Sequence, residues 1–177
     1  MPATPDDLLE GLAAGREEAF AALYDAYGVR LFAAACGMLG LREEAEDAVQ
    51  DVFVGLVQAG ARLRQVENLK AYLFASLRHA AVRRAGRAKA SPLDADEVAI
   101  PAADASPDAE ISRRLEAALR RLPREQREVI ALHVDGGLTF AEVAAVLDVS
   151  ANTAASRYRY AMEKLREAMK EPDRGTV

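Results

Sequence analysis

Apolar side chains recur along this chain at steps of three and four residues, the spacing of an amphipathic α-helix. Leu23, Tyr27 and Leu31 form one such stripe. No Asn-Gly or Asp-Gly turn separates runs of alternating apolar and polar residues, so strands are not expected. The pattern predicts an all-α chain with a short helix from Pro5 to Gly15 and further helices over about 16–38, 43–58, 69–87, 109–121, 123–134, 139–147 and 151–170.

One stretch interrupts this pattern. Residues 90–109 contain three Pro, no basic residue and no helical period, which predicts a flexible acidic linker. We therefore predict two small helical domains, over 1–89 and 112–171, joined by a linker at 90–111 and followed by a short tail at 172–177. Domains tethered in this way are expected to move independently or to pack weakly.

The charges are distributed unevenly along the chain. A net charge of −5 and a pI near 5.2 would by themselves argue against nucleic acid. By segment, however, residues 1–61 carry −8, 62–89 carry +7, 90–112 carry −6 and 113–177 carry +2. Local fields decide which surface meets which partner, so the basic segment predicts a patch that contacts phosphates. Together with the ring of Tyr72, the basic segment supplies the cations and the aromatic side chain that a groove for single-stranded DNA requires.

The last two predicted helices form a helix-turn-helix pattern. Thr139 and Glu142 are spaced as a capping box at the start of the first of these helices, and Ser150 is placed to cap the second. On the second helix Ala154, Ala161 and Leu165 share one face with Tyr158, whereas Asn152, Ser156, Arg159 and Glu163 share the opposite one. This fits either a DNA-reading helix, whose polar side chains reach base edges, or an ordinary helical hairpin with a solvated face.

Other classes of function find little support in the residues. A lone Cys36 and two His cannot form an internal disulfide or a four-ligand zinc site, and phosphate loops and nucleophile motifs are missing. The apolar run 31–41 is about half of the roughly 20 residues that span a bilayer, and the first residues do not form an export signal. We expect a cytoplasmic protein that is not an enzyme, binds no cofactor or metal and does not insert into a membrane.

Two groups of residues resemble one family. Leu122-Pro123, Arg127, Val129 and the run GGLTFAEVAAVLDVSANTAASRYRYAMEKLR resemble region 4 of bacterial extracytoplasmic-function sigma factors. The runs EEAFAALYDAYGVRLFAAACGML and EEAEDAVQDVF resemble region 2 of the same family. The resemblance covers about residues 12–88 and 112–168 in the family's order. It implies a dissociable subunit that makes no bonds itself but directs core RNA polymerase to promoters.

The resemblance also implies roles for particular residues. Region 2 would bind the polymerase clamp through Asp47, Gln50, Asp51 and Phe53. It would open and read the minus-10 promoter element through Arg62, Arg64, Lys70, Tyr72, Arg78, His79, Arg83 and Arg84. Region 4 would bind the polymerase flap and read the minus-35 element through Asn152, Thr153, Ser156, Arg157, Arg159 and Tyr160.

Some of these residues have a plainer interpretation or depart from the family's pattern. Phe53 lies on the core stripe of its helix, and Tyr72 could pack in the core as Phe74 could. His79 stands where the family usually has Asn, and Arg83 where it has Asp, which leaves the minus-10 preference open.

In region 4, Tyr160 and Ala155 occupy positions that are often basic in the family. These two residues predict a weaker hold on phosphate or an unusual minus-35 sequence.

Two other classes of protein fit part of the sequence. A stand-alone helix-turn-helix repressor would bind its operator as a symmetric dimer without polymerase. An interaction module would dock through the acidic helix and linker. The run AEDAVQDVF favours the sigma factor over both, because it resembles the family's polymerase-docking signature. The resemblance further implies an anti-sigma factor as partner and a monomer when the chain is free.

Overall fold

The computed structural model describes residues 5–90 and 107–170, and every regular element in these ranges is helical. The N-terminal half, 5–90, contains α1 (Pro5–Ala13), α2 (Glu17–Leu39), α3 (Arg42–Ala59), a 3₁₀-helix (Gly60–Gln65) and α4 (Leu69–Ala90). The C-terminal half, 107–170, contains α5 (Pro107–Arg121), α6 (Arg124–Ile130), a π-helical turn (Ala131–Asp135), α7 (Phe140–Leu147) and α8 (Ala151–Lys170). The prediction of an all-helical fold is confirmed.

The N-terminal half packs around leucines that the helical period places inward. Gly40 ends α2 in the left-handed conformation, with φ of 75°, and its N–H donates to the carbonyl of Cys36. This cap lets the chain turn sharply into α3. The fully buried leucines of this half are Leu12, Leu23, Leu31, Leu56, Leu63, Leu73 and Leu77.

The C-terminal half has a small core of its own. Ala118, Leu122, Ile130, Ala161 and Leu165 hold α5, α6 and α8 together. The helix predicted to run to about residue 134 changes at its end into the π-helical turn, where the N–H of Gly136 donates to the carbonyl of Ala131 at 2.9 Å. The wider turn shifts the chain's direction just before α7 begins.

The two halves share one continuous hydrophobic core. It runs from Leu12 in α1 to Ala154 in α8, and α2 and α4 contact α6, the π-helical turn and α7. Gly37 allows the close approach, because a Cβ there would lie 3.0 Å from the Cβ of Ala131 and 3.1 Å from Oδ2 of Asp135. The expectation of independent or weakly packed domains is therefore wrong for the structure described here. The composition of a linker does not show whether the domains that it joins have complementary surfaces.

The predicted linker lies largely outside the described residues. Residues 91–106 and 171–177 fall there, including the tail predicted at 172–177. At its edges, α4 continues to Ala90 and α5 begins at Pro107, so residues 90 and 107–111 of the predicted linker are helical. Pro107 is at the first position of α5, where its fixed φ and missing N–H suit a helix start.

Candidate polymerase and DNA interfaces

The polar residues predicted to meet polymerase lie on one face of α3. Asp47 and Gln50 are exposed and Asp51 is half-buried. Helical spacing places Val54 and Val57 on the same face, and both are exposed, at 48% and 64%. Sequence reasoning missed both valines, although their spacing from Gln50 places them beside the acids.

Phe53 is half-buried and belongs partly to the core. It packs against that core and against the ring of Tyr24, with 5.7 Å between ring centroids. Tyr24 is itself 61% exposed, so the two rings form an apolar edge next to the acidic face of α3.

Arg84 of α4 reaches the acids of α3. One guanidinium nitrogen lies 2.9 Å from Asp47 and 3.3 Å from Glu44, and the other lies 3.1 Å from Asp51. Burial alone would lower the pKa of Arg84, but the hydrogen bonds to Asp51 and Glu44 raise it above its ordinary value. The neighbouring Arg83 is 62% exposed and approaches Asp51 no closer than 4.0 Å. The structure thus places Arg84, predicted to contact DNA, among the residues predicted to contact polymerase.

The basic residues of the 3₁₀-helix lie at the surface. Arg64 forms a bidentate salt bridge with Glu10 of α1, in which Nη2 and Nε donate to the two carboxylate oxygens at 2.8 and 2.9 Å. The hydrogen bond from Arg64 holds the pKa of Glu10 below its usual value. Arg62 is exposed and, with Val66 and Tyr72, lines a shallow cavity of about 310 Å³.

Along α4 the other predicted minus-10 residues divide into two sets. His79 and Arg83 are exposed. Lys70 and Arg78 are half-buried and contact the C-terminal half. The Lys70 ammonium lies 2.6 Å from the Gly137 carbonyl, and Nε of Arg78 lies 3.3 Å from the Glu128 carboxylate. Among the aromatic residues Tyr72 is half-buried, whereas Phe74 is fully buried and belongs to the core.

Both predicted helix caps of the helix-turn-helix are present. The N–H of Glu142 donates to the Thr139 hydroxyl at 3.2 Å, and the Glu142 carboxylate accepts from the Thr139 N–H at 2.7 Å. The Ser150 hydroxyl accepts from the N–H of Thr153 at 3.0 Å. Asp148 takes a left-handed conformation, with φ of 54°, in the turn between the helices.

Helix α8 presents a polar face to solvent. Asn152, Arg159 and Tyr160 are exposed, Thr153 and Ser156 are partly buried, and the guanidinium of Arg159 lies over the Tyr160 ring at 5.2 Å. The inward positions at Ala154, Ala161 and Leu165 are buried as predicted.

The flanks of this face differ from it. Arg157 turns toward Glu125 of α6, with 3.8 Å between nitrogen and oxygen. The Thr153 hydroxyl is engaged with that of Ser150 at 2.8 Å, so it is part of the cap. Asn152, Ser156 and Arg159 therefore lie together at the centre of the polar face of α8.

Within the described residues, neither the requirements of a metal site nor those of a membrane span are met. Within 5–90 and 107–170, His, Cys, Asp and Glu side chains form no group suited to a metal ion. In the same ranges, no helix has both the length and the apolar content of a membrane span.

Two family models match the chain, Sigma-70 region 2 over residues 23–91 and Sigma-70, region 4 over residues 112–165. The ECF RNA polymerase sigma factor SigM of Mycobacterium tuberculosis is 30% identical over 159 residues, covering 90% of this chain and 81% of SigM. SigE of Mycolicibacterium smegmatis is 30% identical over 78% of this chain, which spans 56% of the length of SigE.

A solved structure extends the similarity to the fold. RpoE from Bartonella quintana, crystallised with the anti-sigma factor NepR, matches with a TM-score of 0.66 and 32% identity. The match covers 88% of this chain and 98% of the RpoE chain, and so takes in both helical halves. With both region models in order and a relative matched over most of its length, this chain belongs to the extracytoplasmic-function family of RNA polymerase sigma factors, non-enzymatic proteins that bind core polymerase and direct transcription initiation.

Proposed function

We propose that this sigma factor binds the polymerase clamp through the exposed face of α3. That face consists of Asp47, Gln50, Asp51, Val54 and Val57, with Phe53 at its edge. Exposed carboxylates beside exposed apolar groups suit a partner helix that is basic and partly apolar, since interfaces combine an apolar centre with a polar rim. The exposure of Asp47 and Gln50 on one helical face is the observation that carries the proposal.

Arg84 supports this face and is not assigned to DNA. Its guanidinium is shared among Glu44, Asp47 and Asp51, and its side chain is only 17% exposed. An arginine held by three carboxylates fixes their geometry and offsets their mutual repulsion. We assign Arg84 to positioning the clamp-binding acids.

The basic surface of the 3₁₀-helix and α4 is proposed to hold the melted minus-10 strand. Arg62, Arg64, His79 and Arg83 are exposed there, and Tyr72 lines the cavity beside Arg62. Exposed cations along a groove with an aromatic wall are what an unpaired strand needs for its phosphates and its bases. Lys70 and Arg78 are assigned to the same surface, although the C-terminal half contacts both side chains.

The polar face of α8 is proposed to read the minus-35 element in the major groove. Asn152, Ser156 and Arg159 lie outward on it, and Asn and Arg can pair with two atoms of adenine and guanine, respectively. Thr153, Arg157 and Tyr160 flank the face and are assigned to the DNA backbone. The same domain would bind the polymerase flap.

The remaining assignments follow from the family. We propose that the chain is a cytoplasmic monomer when free and that an anti-sigma factor inhibits it. RpoE, which this chain resembles in fold, was crystallised with such an inhibitor.

Co-purification with bacterial core RNA polymerase tests the clamp assignment. A tagged Asp47→Ala/Gln50→Ala variant should lose stoichiometric polymerase, because both side chains project from the proposed face. A matched Glu17→Ala/Gln65→Ala variant removes one exposed acid and one exposed amide elsewhere in the same half, and should keep it. Retention of polymerase by the first variant would contradict the clamp assignment.

A further inference from the structure

Helix α1 precedes the part of the chain that matches region 2, which begins at residue 23, so that match assigns it no role. The helix is nevertheless closely packed. Leu12 is only 1% exposed, and a Cβ on Gly11 would lie 2.7 Å from the Cβ of Ala19. The elements that α1 mainly contacts are α2 and the 3₁₀-helix. The position of α1 is therefore coupled to the surface proposed to hold the unpaired strand.

The exposed side of α1 contacts the 3₁₀-helix through Glu10. Nε and Nη2 of Arg64 donate to the two carboxylate oxygens of Glu10, at 2.9 and 2.8 Å. This hydrogen bonding lowers the pKa of Glu10 and raises the pKa of Arg64, so both side chains are charged. Both are about half exposed, and exposed ion pairs contribute little to stability. What a bidentate pair does fix is the direction of the guanidinium.

The 3₁₀-helix depends on side-chain contacts of this kind for its orientation. Its hydrogen bonds have poorer geometry than those of an α-helix, and three residues per turn place successive side chains about 120° apart. Leu63 is fully buried, Arg62 lines the cavity of about 310 Å³, and Arg64 contacts Glu10. Leu63 alone would leave this short helix able to rotate about the buried side chain. The salt bridge holds a second side of the helix and thereby fixes where Arg62 and the cavity wall lie.

We propose that Glu10 is a positioning residue for the unpaired minus-10 strand, which acts through Arg64 by fixing the 3₁₀-helix that presents Arg62 and its cavity to DNA. The inference rests on the proposed function of this surface. The salt bridge uses Nε and Nη2 of Arg64 but not Nη1, so the same guanidinium can donate to a phosphate while Glu10 orients it. A carboxylate thereby assists the binding of a polyanion.

The sign of one substitution separates positioning from charge. Glu10→Gln keeps the shape of the side chain and removes its negative charge. If Glu10 acted only through that charge, its removal would tighten the binding of DNA, because an acid repels phosphates. Because Glu10 positions Arg64, we expect Glu10→Gln to weaken binding. Both partners are exposed, so the variant is expected to fold.

Fluorescence anisotropy of the full chain with a fluorescein-labelled thymidine strand of about 20 nucleotides measures the effect. Loss of one phosphate contact on a single strand makes the slope of log K against log salt shallower by about 0.7. The affinity advantage of wild type over Glu10→Gln should therefore be about threefold greater at about 50 mM salt than at about 200 mM salt. A salt bridge that served stability alone would change the midpoint of urea unfolding and leave this slope unchanged.

Three further variants test whether Glu10 acts through Arg64. Glu67→Gln removes an exposed acid two residues after the 3₁₀-helix and should not weaken binding. Arg64→Lys keeps the positive charge but cannot form the bidentate contact, so it should resemble Glu10→Gln. In an Arg64→Ala background, Glu10→Gln should cause no further weakening, because a positioning residue has no effect once the side chain that it positions is gone.

The outcomes distinguish the positioning role from the function on which it rests. Unchanged or tighter binding by Glu10→Gln, while Arg62→Ala weakens binding, would contradict the positioning role and leave the surface assigned to DNA. Equal weakening by Glu10→Gln with and without Arg64 would show that the acid does not act through the arginine. Unchanged binding by a combined Arg62→Ala/Arg64→Ala/Arg83→Ala variant would contradict the DNA role of the surface itself. Weaker binding by Glu10→Gln and Arg64→Lys, but not by Glu67→Gln, would support the proposal.

Discussion

The two surfaces proposed to contact DNA differ in how far the chain occupies them itself. On α8 the central side chains, Asn152 and Arg159, are exposed. On α4, Lys70 and Arg78 are bound to carboxylates and a carbonyl of the C-terminal half. The surface proposed to read duplex DNA is therefore exposed, whereas part of the surface proposed to hold the unpaired strand is covered by the C-terminal half. A basic patch identified by charge alone can have its first partner inside the same molecule.

The largest effect is expected from truncating the aromatic side chain at the centre of the shared core. Phe74→Ala should lower the free energy of unfolding by about 3–5 kcal/mol, as removal of a fully buried ring does. Because both halves contribute to this core, amide hydrogen exchange should accelerate in α7 as well as in α4. Leu165→Ala, in the small core of the C-terminal half, is the comparison and should leave α4 protected. Unchanged protection of α7 in Phe74→Ala would show that the halves fold independently.

A second test sharpens the contrast between base reading and phosphate contact. Arg159→Ala should weaken binding to the cognate promoter by about 1–3 kcal/mol relative to unrelated DNA, because it removes a base contact. Arg83→Ala should weaken binding to all sequences and reduce the salt slope by about 0.7, because it removes a phosphate contact on a single strand. Fluorescence anisotropy at several salt concentrations measures each effect, with cognate and unrelated duplexes for Arg159→Ala and with unpaired strands of both sequences for Arg83→Ala. Equal losses on all sequences for Arg159→Ala would contradict its assignment to base reading.

Local features of the sequence predicted the helix-turn-helix well. The spacing of Thr139 and Glu142 determines a capping box whatever the rest of the chain does, and both of its hydrogen bonds are present. The inward face of α8 follows from helical period in the same way, and Ala154 and Leu165 are buried as expected. Features that are determined within one helix or turn could be predicted from the sequence, because the residues that contact one another lie within a few positions of the chain.

Features that depend on distant partners were not readable. The sequence shows that Arg84 and Lys70 are basic, but not that the first meets α3 and the second meets Gly137. The packing of the two halves was missed for the same reason, since surface complementarity across the linker leaves no local pattern.

The smallest expected effect is the pH dependence of stability that Glu142 contributes, through its contacts with Thr139 at the start of α7 and with Lys70 of α4. The Glu142 carboxylate accepts a hydrogen bond from the Thr139 N–H and lies beside Lys70, and the first of these contacts contributes most to lowering the pKa of Glu142 below its ordinary value of 4.5. A carboxyl whose pKa is lower in the folded chain stabilises the fold above its unfolded pKa, and this contribution is lost as pH falls through the folded pKa. Acidification below 4.5 should therefore weaken both the cap of α7 and the hold on Lys70.

Glu142→Gln isolates that contribution from the other carboxyls of the chain. The variant keeps the capping hydrogen bonds but loses the charge of the acceptor, so it should be less stable than wild type at neutral pH by about 1 kcal/mol, the typical difference between hydrogen bonds to charged and neutral groups. The difference should shrink as pH falls below 4.5. Urea unfolding at a series of pH values measures the difference, with Glu163→Gln on the exposed face of α8 as the control. A difference that stays constant with pH would mean that the charge of Glu142 does not contribute. A difference that shrinks would show that the charge of Glu142 stabilises the fold through its contacts with the Thr139 N–H and Lys70.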